Sequence, residues 1–157
     1  MPRKPVTPFL LETALTYRLH RVHKLTDRES EAAYLAEVGL PMGEGRCLAA
    51  IGSFAPLSVQ DLARRANLDK AQASRAAQSL VERSLVLKRA STEDARSVVL
   101  TLTPEGERRW AATMAMIERQ NGIIFGGLSA EERASLGRLL DRVIDEALAR
   151  SGATESP

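Results

Sequence analysis

The feature that most constrains the fold is a change of hydrophobic spacing inside Ser58–Thr103. In the first half of this segment, apolar residues recur at helical spacing in two short stretches, Val59–Ala66 and Lys70–Arg83, and a brief turn separates them. In the second half, two stretches rich in β-forming residues, Val86–Ala90 and Arg96–Thr103, flank a polar turn and predict a hairpin. Two short helices followed directly by a β-hairpin are typical of a winged helix-turn-helix.

Capping residues support this order of elements. Ser58 is a suitable N-cap with Asp61 three residues later, and Asp69 is placed to cap the second helix. After the hairpin, Thr103 and Pro104 predict the start of another helix, because proline is favoured at the first helical position. The segment is therefore predicted to contain helix, helix and hairpin, followed by a further helix.

Long helices are predicted on both sides of this segment. Apolar residues at helical spacing mark two helices before it and two after it, 9–36, 44–51, 104–124 and a last one that begins after Ser129. Gly39 and Pro41 are stop signals after the first of these helices, and Gly126-Gly127 separates the last two. Residues 52–56 are predicted to form a turn.

The predicted fold class is mainly α (α+β), a winged helix-turn-helix with a helical dimerisation region built from the N- and C-terminal helices. The predicted boundaries are 41–103 for the winged helix-turn-helix, 1–40 and 104–150 for the dimerisation region, and 151–157 for a disordered tail. The terminal helices carry more apolar residues than a small wing domain covers, among them Phe9, Leu10, Ile123, Ile124, Phe125 and Leu128. A two-fold dimer would bury them.

Composition excludes several classes of protein. No apolar run approaches the roughly 18 residues of a membrane span, and Met1–Pro8 lacks the apolar core of a secretory signal. The single cysteine, Cys47, excludes an internal disulfide and a cysteine-rich zinc site, so we expect a cytoplasmic protein. Glycine-rich phosphate loops, Ser/His/Asp sets and paired acids are lacking, so we expect neither an enzyme nor a cofactor.

The second helix of the predicted pair has the composition of a DNA-reading helix. Its inward stripe is Ala73, Ala77 and Leu80. The residues predicted to face elsewhere are Lys70, Gln72, Ser74, Arg75, Gln78 and Ser79, and the small Ala71 would let the helix approach DNA closely. A major groove admits a helix with short or donor-rich side chains, in which Gln pairs with adenine and Arg with guanine. Alanine at position 71 would contact a thymine methyl group. Scattered charge on a solvated helix face is the alternative interpretation.

The hairpin tip offers a second contact with DNA. Arg96 would reach the adjacent minor groove, where a narrow groove attracts arginine. Asp94, two residues earlier, would hold the guanidinium in a bidentate pair and fix its direction. An ordinary salt bridge within the turn is the alternative for the same two residues.

These motifs together resemble the MarR (multiple antibiotic resistance regulator) family of bacterial repressors. The matching segments are Leu57–Ala63, Asp69–Arg75, the wing residues Glu93–Arg96, and Leu100–Gly106. The long first and last helices agree with the family, so the resemblance covers nearly the whole chain. One departure is Ser84, because the family usually has glycine where the recognition helix closes, and serine must then adopt a strained cap or end the helix differently.

The resemblance implies a homodimer that binds duplex DNA. It implies Gln72 and Arg75 in the major groove, Arg96 in the minor groove with support from Asp94, and repression as the default activity. The other residues expected at the DNA are Ser58, Lys70, Ala71, Ser74, Gln78, Lys88 and Arg89. A two-fold dimer would read a pseudo-palindrome whose half-sites lie about one helical turn apart.

Family members often bind small aromatic or phenolic acids between the dimer helices and the DNA-binding segment, here Ser58–Thr103, which we call the reading head. The resemblance therefore also implies an effector site. The candidates are Tyr17, Arg18, His20, Arg21, His23, Arg46, Trp110 and Met114. Histidines at i and i+3 leave open a zinc-responsive regulator, although a third ligand is not evident. Cys47 leaves open a thiol-responsive one, although it lies on an apolar stripe. A winged-helix protein-interaction module without DNA binding is the remaining alternative.

Overall fold

The computed structural model describes residues 9–152 and consists largely of helices. Met1–Pro8 lies wholly outside these residues, and so does most of the tail predicted from residue 151. The elements are a 3-10 turn at Leu11–Thr13, α1 Leu15–Ala33, a π-helical turn at Tyr34–Val38, α2 Met42–Phe54, α3 Val59–Arg65, α4 Lys70–Glu82, β1 Val86–Ala90, β2 Val98–Leu102, α5 Pro104–Ile124 and α6 Ala130–Ser151. The predicted class, helical with one small sheet, is confirmed.

The chain divides into two compact units, with the boundary in sequence after Glu118. The first unit holds α1 to α4, the hairpin and most of α5, and its core lies between α2, α3, α4 and β2. The fully buried aliphatic side chains there include Leu48, Ile51, Leu62, Leu80 and Leu100. Each buried side chain of this kind stabilises the fold by about 1.5–3 kcal/mol, so the helices of the reading head share one core.

The predicted caps are confirmed where the helices begin. The Ser58 hydroxyl accepts a hydrogen bond from the backbone N–H of Asp61 at 3.1 Å. Asp69 caps α4 in a reciprocal capping box with Gln72, and Thr103 Oγ1 accepts from the backbone N–H of Gly106 at 2.9 Å. These bonds satisfy amide groups that the first helical turn leaves without partners, and they fix where each helix starts.

The hairpin is short and antiparallel, and it pairs Val86 with Leu102 and Ala90 with Val98. Its second strand begins at Val98, because the chain from Ser91 to Ser97 forms a turn whose ends bond each other, Ser91 N–H to the Ser97 carbonyl at 2.9 Å. An isolated bridge joins Leu57 to Leu100. The bridge connects the entrance of α3 to the wing, so hairpin and helices form one body.

The start of the first helix and the end of the second differ from the sequence prediction. The first helix proper starts at Leu15, after a 3-10 turn, and not at Phe9. The second helix continues through Phe54, so most of the turn predicted at 52–56 is helical. The continuation fits the packing at Gly52, where an added Cβ would lie 2.3 Å from the Trp110 ring. Glycine at that position lets the indole of α5 pack against the α2 backbone.

At Ser84, where the resemblance expects glycine, the structure shows the first of the two predicted alternatives, a strained cap. Ser84 adopts the left-handed backbone conformation, with φ +59°, directly after α4 and its C-cap Arg83. Its carbonyl accepts a hydrogen bond from Thr103 Oγ1 at 2.8 Å, which joins the end of α4 to the start of α5. The chain therefore keeps the turn geometry that favours glycine and accepts a strained serine there.

The second unit consists of the end of α5 and α6. A capping box between Ser129 and Glu132 starts α6, but no residue of α6 is buried within the described chain. Its apolar stripe is largely exposed, with Leu139, Val143 and Ile144 each more than half accessible. No helix among residues 9–152 is long and apolar enough to cross a membrane.

Candidate DNA-binding surface and adjoining groove

Helix α4 presents one buried face and one exposed face, as its sequence pattern predicts. The buried face consists of Ala73, Ala76, Ala77 and Leu80. All six residues predicted to face DNA from this helix are exposed, namely Lys70, Ala71, Gln72, Ser74, Arg75 and Gln78. Short side chains beside Gln72 and Arg75 leave these two longer groups room to reach base edges.

Two of the predicted contacts already have partners within the chain. The Gln78 Oε1 accepts a hydrogen bond from Lys88 Nζ at 2.8 Å, and its Nε2 donates to Glu82 at 3.1 Å. The bond from Lys88 joins α4 to the first strand of the wing. These exposed bonds compete with water, so they hold the side chains loosely and leave both available for exchange with a ligand.

Ser58 and Gln72 also take part in helix capping. The Ser58 hydroxyl donates to the Asp61 carboxylate at 2.8 Å while accepting from the Asp61 backbone. Gln72 Oε1 accepts from the backbone N–H of Asp69 at 3.2 Å, which leaves the amide NH2 group as the donor for an outside partner. Helix capping therefore sets the orientation of Gln72 at the first turn of α4.

The wing tip corrects the role predicted for Asp94. Its carboxylate accepts a hydrogen bond from the backbone N–H of Arg96 at 3.0 Å, and no ion pair between Asp94 and the Arg96 guanidinium is seen within residues 9–152. A carboxylate two residues before a backbone N–H closes a local turn, so Asp94 shapes the wing backbone and not the guanidinium. Arg96, like Lys88 and Arg89, is exposed.

A groove of about 270 Å³ lies within the first unit, between α2, α5 and the end of α3. Its wall includes two guanidinium groups, two aromatic rings and two apolar side chains, from Arg46, Arg65, Tyr34, Phe54, Met114 and Ile117. The Arg65 guanidinium stacks over the Phe54 ring, 4.5 Å from its centre. Burial raises the pKa of Tyr34, and the nearby Arg46 opposes this shift, so the hydroxyl stays protonated as a hydrogen-bond donor.

The groove includes some of the effector residues predicted from the sequence and not others. Arg46 and Met114 line it, whereas Tyr17, Arg18, His20 and His23 lie along α1 outside it. Trp110 packs on Gly52, and its indole N–H is buried without a hydrogen-bond partner among the described residues. Asp27 connects the two sets, 3.2 Å from His23 Nδ1 and 3.9 Å from Arg46 Nη2.

Of the six groove residues named above, sequence reasoning missed four: Tyr34, Phe54, Arg65 and Ile117. The sequence pattern predicts a turn at Phe54 and an ordinary helix at Tyr34. The structure places Phe54 at the end of α2 and Tyr34 in a π-helical turn. The small residue Gly45 carries the one available signal, because an added Cβ there would lie 2.2 Å from the Tyr34 ring. Glycines inside a helix often mark such close contacts.

Comparisons with known proteins give a match to one family over part of the chain. A model of the MarR family matches residues 38–97, which include α2, α3, α4 and the start of the wing. Over these residues the chain is similar to the MarR family. It is 27% identical over 132 residues to an uncharacterized HTH-type transcriptional regulator of Bacillus subtilis, YdgJ, covering 84% of this chain and 78% of YdgJ.

A second relative is known in complex with a small molecule. The HTH-type transcriptional repressor Rv2887 of Mycobacterium tuberculosis is 26% identical over 84% of this chain and 94% of its own. Its crystal structure with salicylic acid superposes with a TM-score of 0.68, at 27% identity over 83% of this chain and 96% of that one. The relatives of this chain are named as transcriptional regulators and repressors, not as enzymes.

The single thiol of the chain, on Cys47, lies in the core. Cys47 is fully buried, and burial, with a smaller contribution from Glu44, raises its pKa to about 12. A sensor thiol needs a lowered pKa and access to solvent, so the structure does not favour the thiol-responsive alternative. For metal sensing, no group of three or more His, Cys, Asp and Glu side chains comes together in the part of the chain that the structure describes.

Proposed function

We propose that this protein is a cytoplasmic repressor that binds a pseudo-palindromic operator as a homodimer and leaves it when a small aromatic carboxylate occupies the groove. The observation that carries the proposal is the placement of a cationic, aromatic-lined groove and the reading helix on one body. Helix α2 lines the groove through Arg46 and Phe54 and packs against α4 in the shared core. A ligand that shifts α2 would therefore move the reading helix.

The DNA-binding part rests on the exposed face of α4 and on the wing. Gln72 and Arg75 supply the base-reading groups, and Ala71 lies between Lys70 and Gln72 where a thymine methyl would pack. Arg96 is carried at the wing tip toward the minor groove. The backbone contacts come from exposed Lys70, Ser74, Lys88 and Arg89, whose positive charge attracts phosphates without reading sequence.

The dimer rests on the apolar surface that a single chain leaves exposed. On α1, Leu15 and Leu25 are 73% and 69% accessible, and on α6, Val143 is 58% accessible. Monomeric proteins seldom expose long apolar stripes on two helices. A second copy of the chain would cover both stripes, and two reading heads related by a two-fold axis would then face a pseudo-palindrome.

The effector part rests on the chemistry of the groove. Arg46 and Arg65 offer donors for a carboxylate, the Phe54 and Tyr34 rings offer faces for an aromatic ring, and the Tyr34 hydroxyl is a further donor. Mostly apolar walls with a few placed polar groups are what small-molecule sites require. The complex of the relative Rv2887 with salicylic acid supports the same ligand class.

Selection from a random duplex library followed by affinity measurements tests the DNA-binding part. Arg75→Ala is expected to lose about 1–3 kcal/mol on the selected duplex and to relax base preference there. Lys88→Ala should weaken binding to all duplexes and lower the salt slope by about 1. Arg138→Ala, a charge-matched change on α6, is the control. If the wild-type protein selects no sequence from the library, the result would favour the alternative that the chain is a protein-interaction module without DNA binding.

Thermal shift tests the effector part. Salicylate should raise the Tm of the wild-type protein by mass action and release it from the selected duplex, whereas salicylamide, which lacks the carboxylate, should do neither. Arg46→Met removes the guanidinium and keeps the length of the side chain, so it should abolish the shift. Arg108→Met, a change to an exposed arginine on α5, should retain it. An equal shift in both variants would contradict this site.

A further inference from the structure

A carboxylate at the start of α2 contacts the recognition helix far away in sequence. Glu44 Oε1 accepts a hydrogen bond from Ser79 Oγ at 2.8 Å, across 35 positions of sequence. Arg83 forms an ion pair with Glu44, in which Arg83 Nε lies 3.0 Å from Glu44 Oε2. The Nε–H of Arg83 donates its hydrogen bond to Ser79 Oγ, at 3.4 Å. Glu44 Oε2 is thus buried and paired with a charge, but it accepts no hydrogen bond from the described residues.

The environment of Glu44 makes this cluster sensitive to substitution. The Glu44 side chain is 17% exposed, against 45% for Arg83, so the carboxylate is the more buried member of the pair. Removing one partner of a largely buried charge leaves the other without compensation. Packing with α4 therefore depends on Glu44 keeping both its hydrogen bond to Ser79 and its ion pair with Arg83.

Ser79 of α4 and its C-cap residue Arg83 lie on the side of the helix that carries Arg75, one of the two proposed base-reading residues. Arg75, Ser79 and Arg83 are spaced at i, i+4 and i+8, which aligns them along one side of a helix. Glu44, Gln72 and Arg75 also line a shallow groove between α2 and α4. The contact with Glu44 thus fixes the same side of α4 from which Arg75 extends.

The buried face of α4 is built mainly from small side chains. Three of the four residues on its buried face are alanine, at positions 73, 76 and 77. Alanine lacks the longer side-chain atoms that form ridges and interlock with the grooves of a neighbouring helix. A polar contact near the end of the helix supplies the orientation that small side chains do not.

We propose that Glu44 is a positioning residue for sequence-specific DNA binding, and that it sets the orientation of α4, and with it of Arg75, through Ser79 and Arg83. The inference rests on the proposed DNA-binding function. Charge alone predicts the opposite effect of removing this residue, because a carboxylate beside a DNA-facing surface repels phosphates. The sign of the effect therefore separates positioning from electrostatics.

The test compares affinities of the full chain for the duplex that wild type selects and for a scrambled duplex of equal length. Glu44→Ala should weaken binding to the selected duplex by about tenfold or more, while binding to the scrambled duplex stays within about twofold of wild type or tightens. Glu44→Gln keeps an acceptor for Ser79 and loses the ion pair, so its loss should be intermediate. Glu146→Gln, an equal change of charge in an exposed pair on α6, should leave both affinities unchanged.

Thermal unfolding of each variant separates positioning from loss of fold. If Glu44→Ala does not fold, Glu44→Gln and Ser79→Ala carry the test, because a lower ratio of selected to scrambled affinity in folded protein is a readout that general destabilisation does not produce. An unchanged ratio in these folded variants, or tighter binding to both duplexes, would overturn the role of Glu44. A wild-type chain that selects no sequence would instead refute the proposed function.

Discussion

Replacing Ser84 with glycine tests the account of how the recognition helix ends. Ser84 has φ +59°, a conformation that costs an L-residue about 1–2 kcal/mol. Its hydroxyl makes no hydrogen bond within residues 9–152, so Ser84→Gly removes the strain without breaking a side-chain contact. Glycine gives back about 0.4–1 kcal/mol through the greater freedom of the unfolded chain, which leaves a net stabilisation of about 0.5–1 kcal/mol.

Calorimetry or thermal denaturation followed by circular dichroism measures this effect. For a chain of this size, about 1 kcal/mol shifts Tm by about 2–4 °C, so Ser84→Gly should raise Tm by about 1–4 °C. Gly39 is the matched control, because it also has a positive φ, +70°, and an added Cβ would lie 3.3 Å from Arg109 Nη1. Gly39→Ala should therefore lower Tm. A lower Tm for Ser84→Gly, or a higher one for Gly39→Ala, would refute the reasoning.

Three further predictions concern the first unit. Because burial raises the pKa of Cys47 to about 12, its thiol should react with a disulfide reagent at pH 8 much more slowly in the native protein than in guanidinium, and equal rates would count against this burial. The hydrogen bond from Ser58 lowers the pKa of Asp61 below its ordinary 3.8, so the stability that Asp61 adds is present above that value and is lost as pH falls through the lowered pKa. Melting curves should accordingly show Asp61→Asn less stable than wild type at pH 7 and the difference shrinking below about pH 4; a constant difference would contradict it. Gly106→Ala would place a Cβ 1.9 Å from the Leu85 carbonyl oxygen, so Tm should fall by several degrees, and an unchanged Tm would show that the two elements are not in contact.

Local signals in the sequence were sufficient for the reading head. Caps at Ser58, Asp69 and Thr103 each satisfy amides within three residues, so their effect is visible in a short window of sequence. The buried and exposed faces of α4 follow from helical spacing alone. The strained backbone at Ser84 is instead one of two outcomes that the family resemblance left open. The caps and the faces of α4 require no knowledge of distant contacts.

The parts that the sequence did not predict depend on contacts between distant residues or on the choice between donors. Asp94 had two N–H sources within reach, the Arg96 guanidinium and its backbone, and turn geometry selected the backbone. Glu44 meets Ser79 across 35 positions, a separation at which spacing rules carry no information. The groove combines Tyr34, Arg65 and residues of α2 and α5, so its composition is known only after the helices pack.

The packing of Trp110 on Gly52 gives the protein an intrinsic optical probe. Trp110 is the single tryptophan of the chain, and its ring rests on the backbone of α2, the helix that lines the groove and carries Glu44. Its emission therefore reports on one location, without a label and without a background from other indoles. A stopped-flow trace of that emission would give the rate at which α2 responds to a bound effector, separately from the rate at which DNA is released.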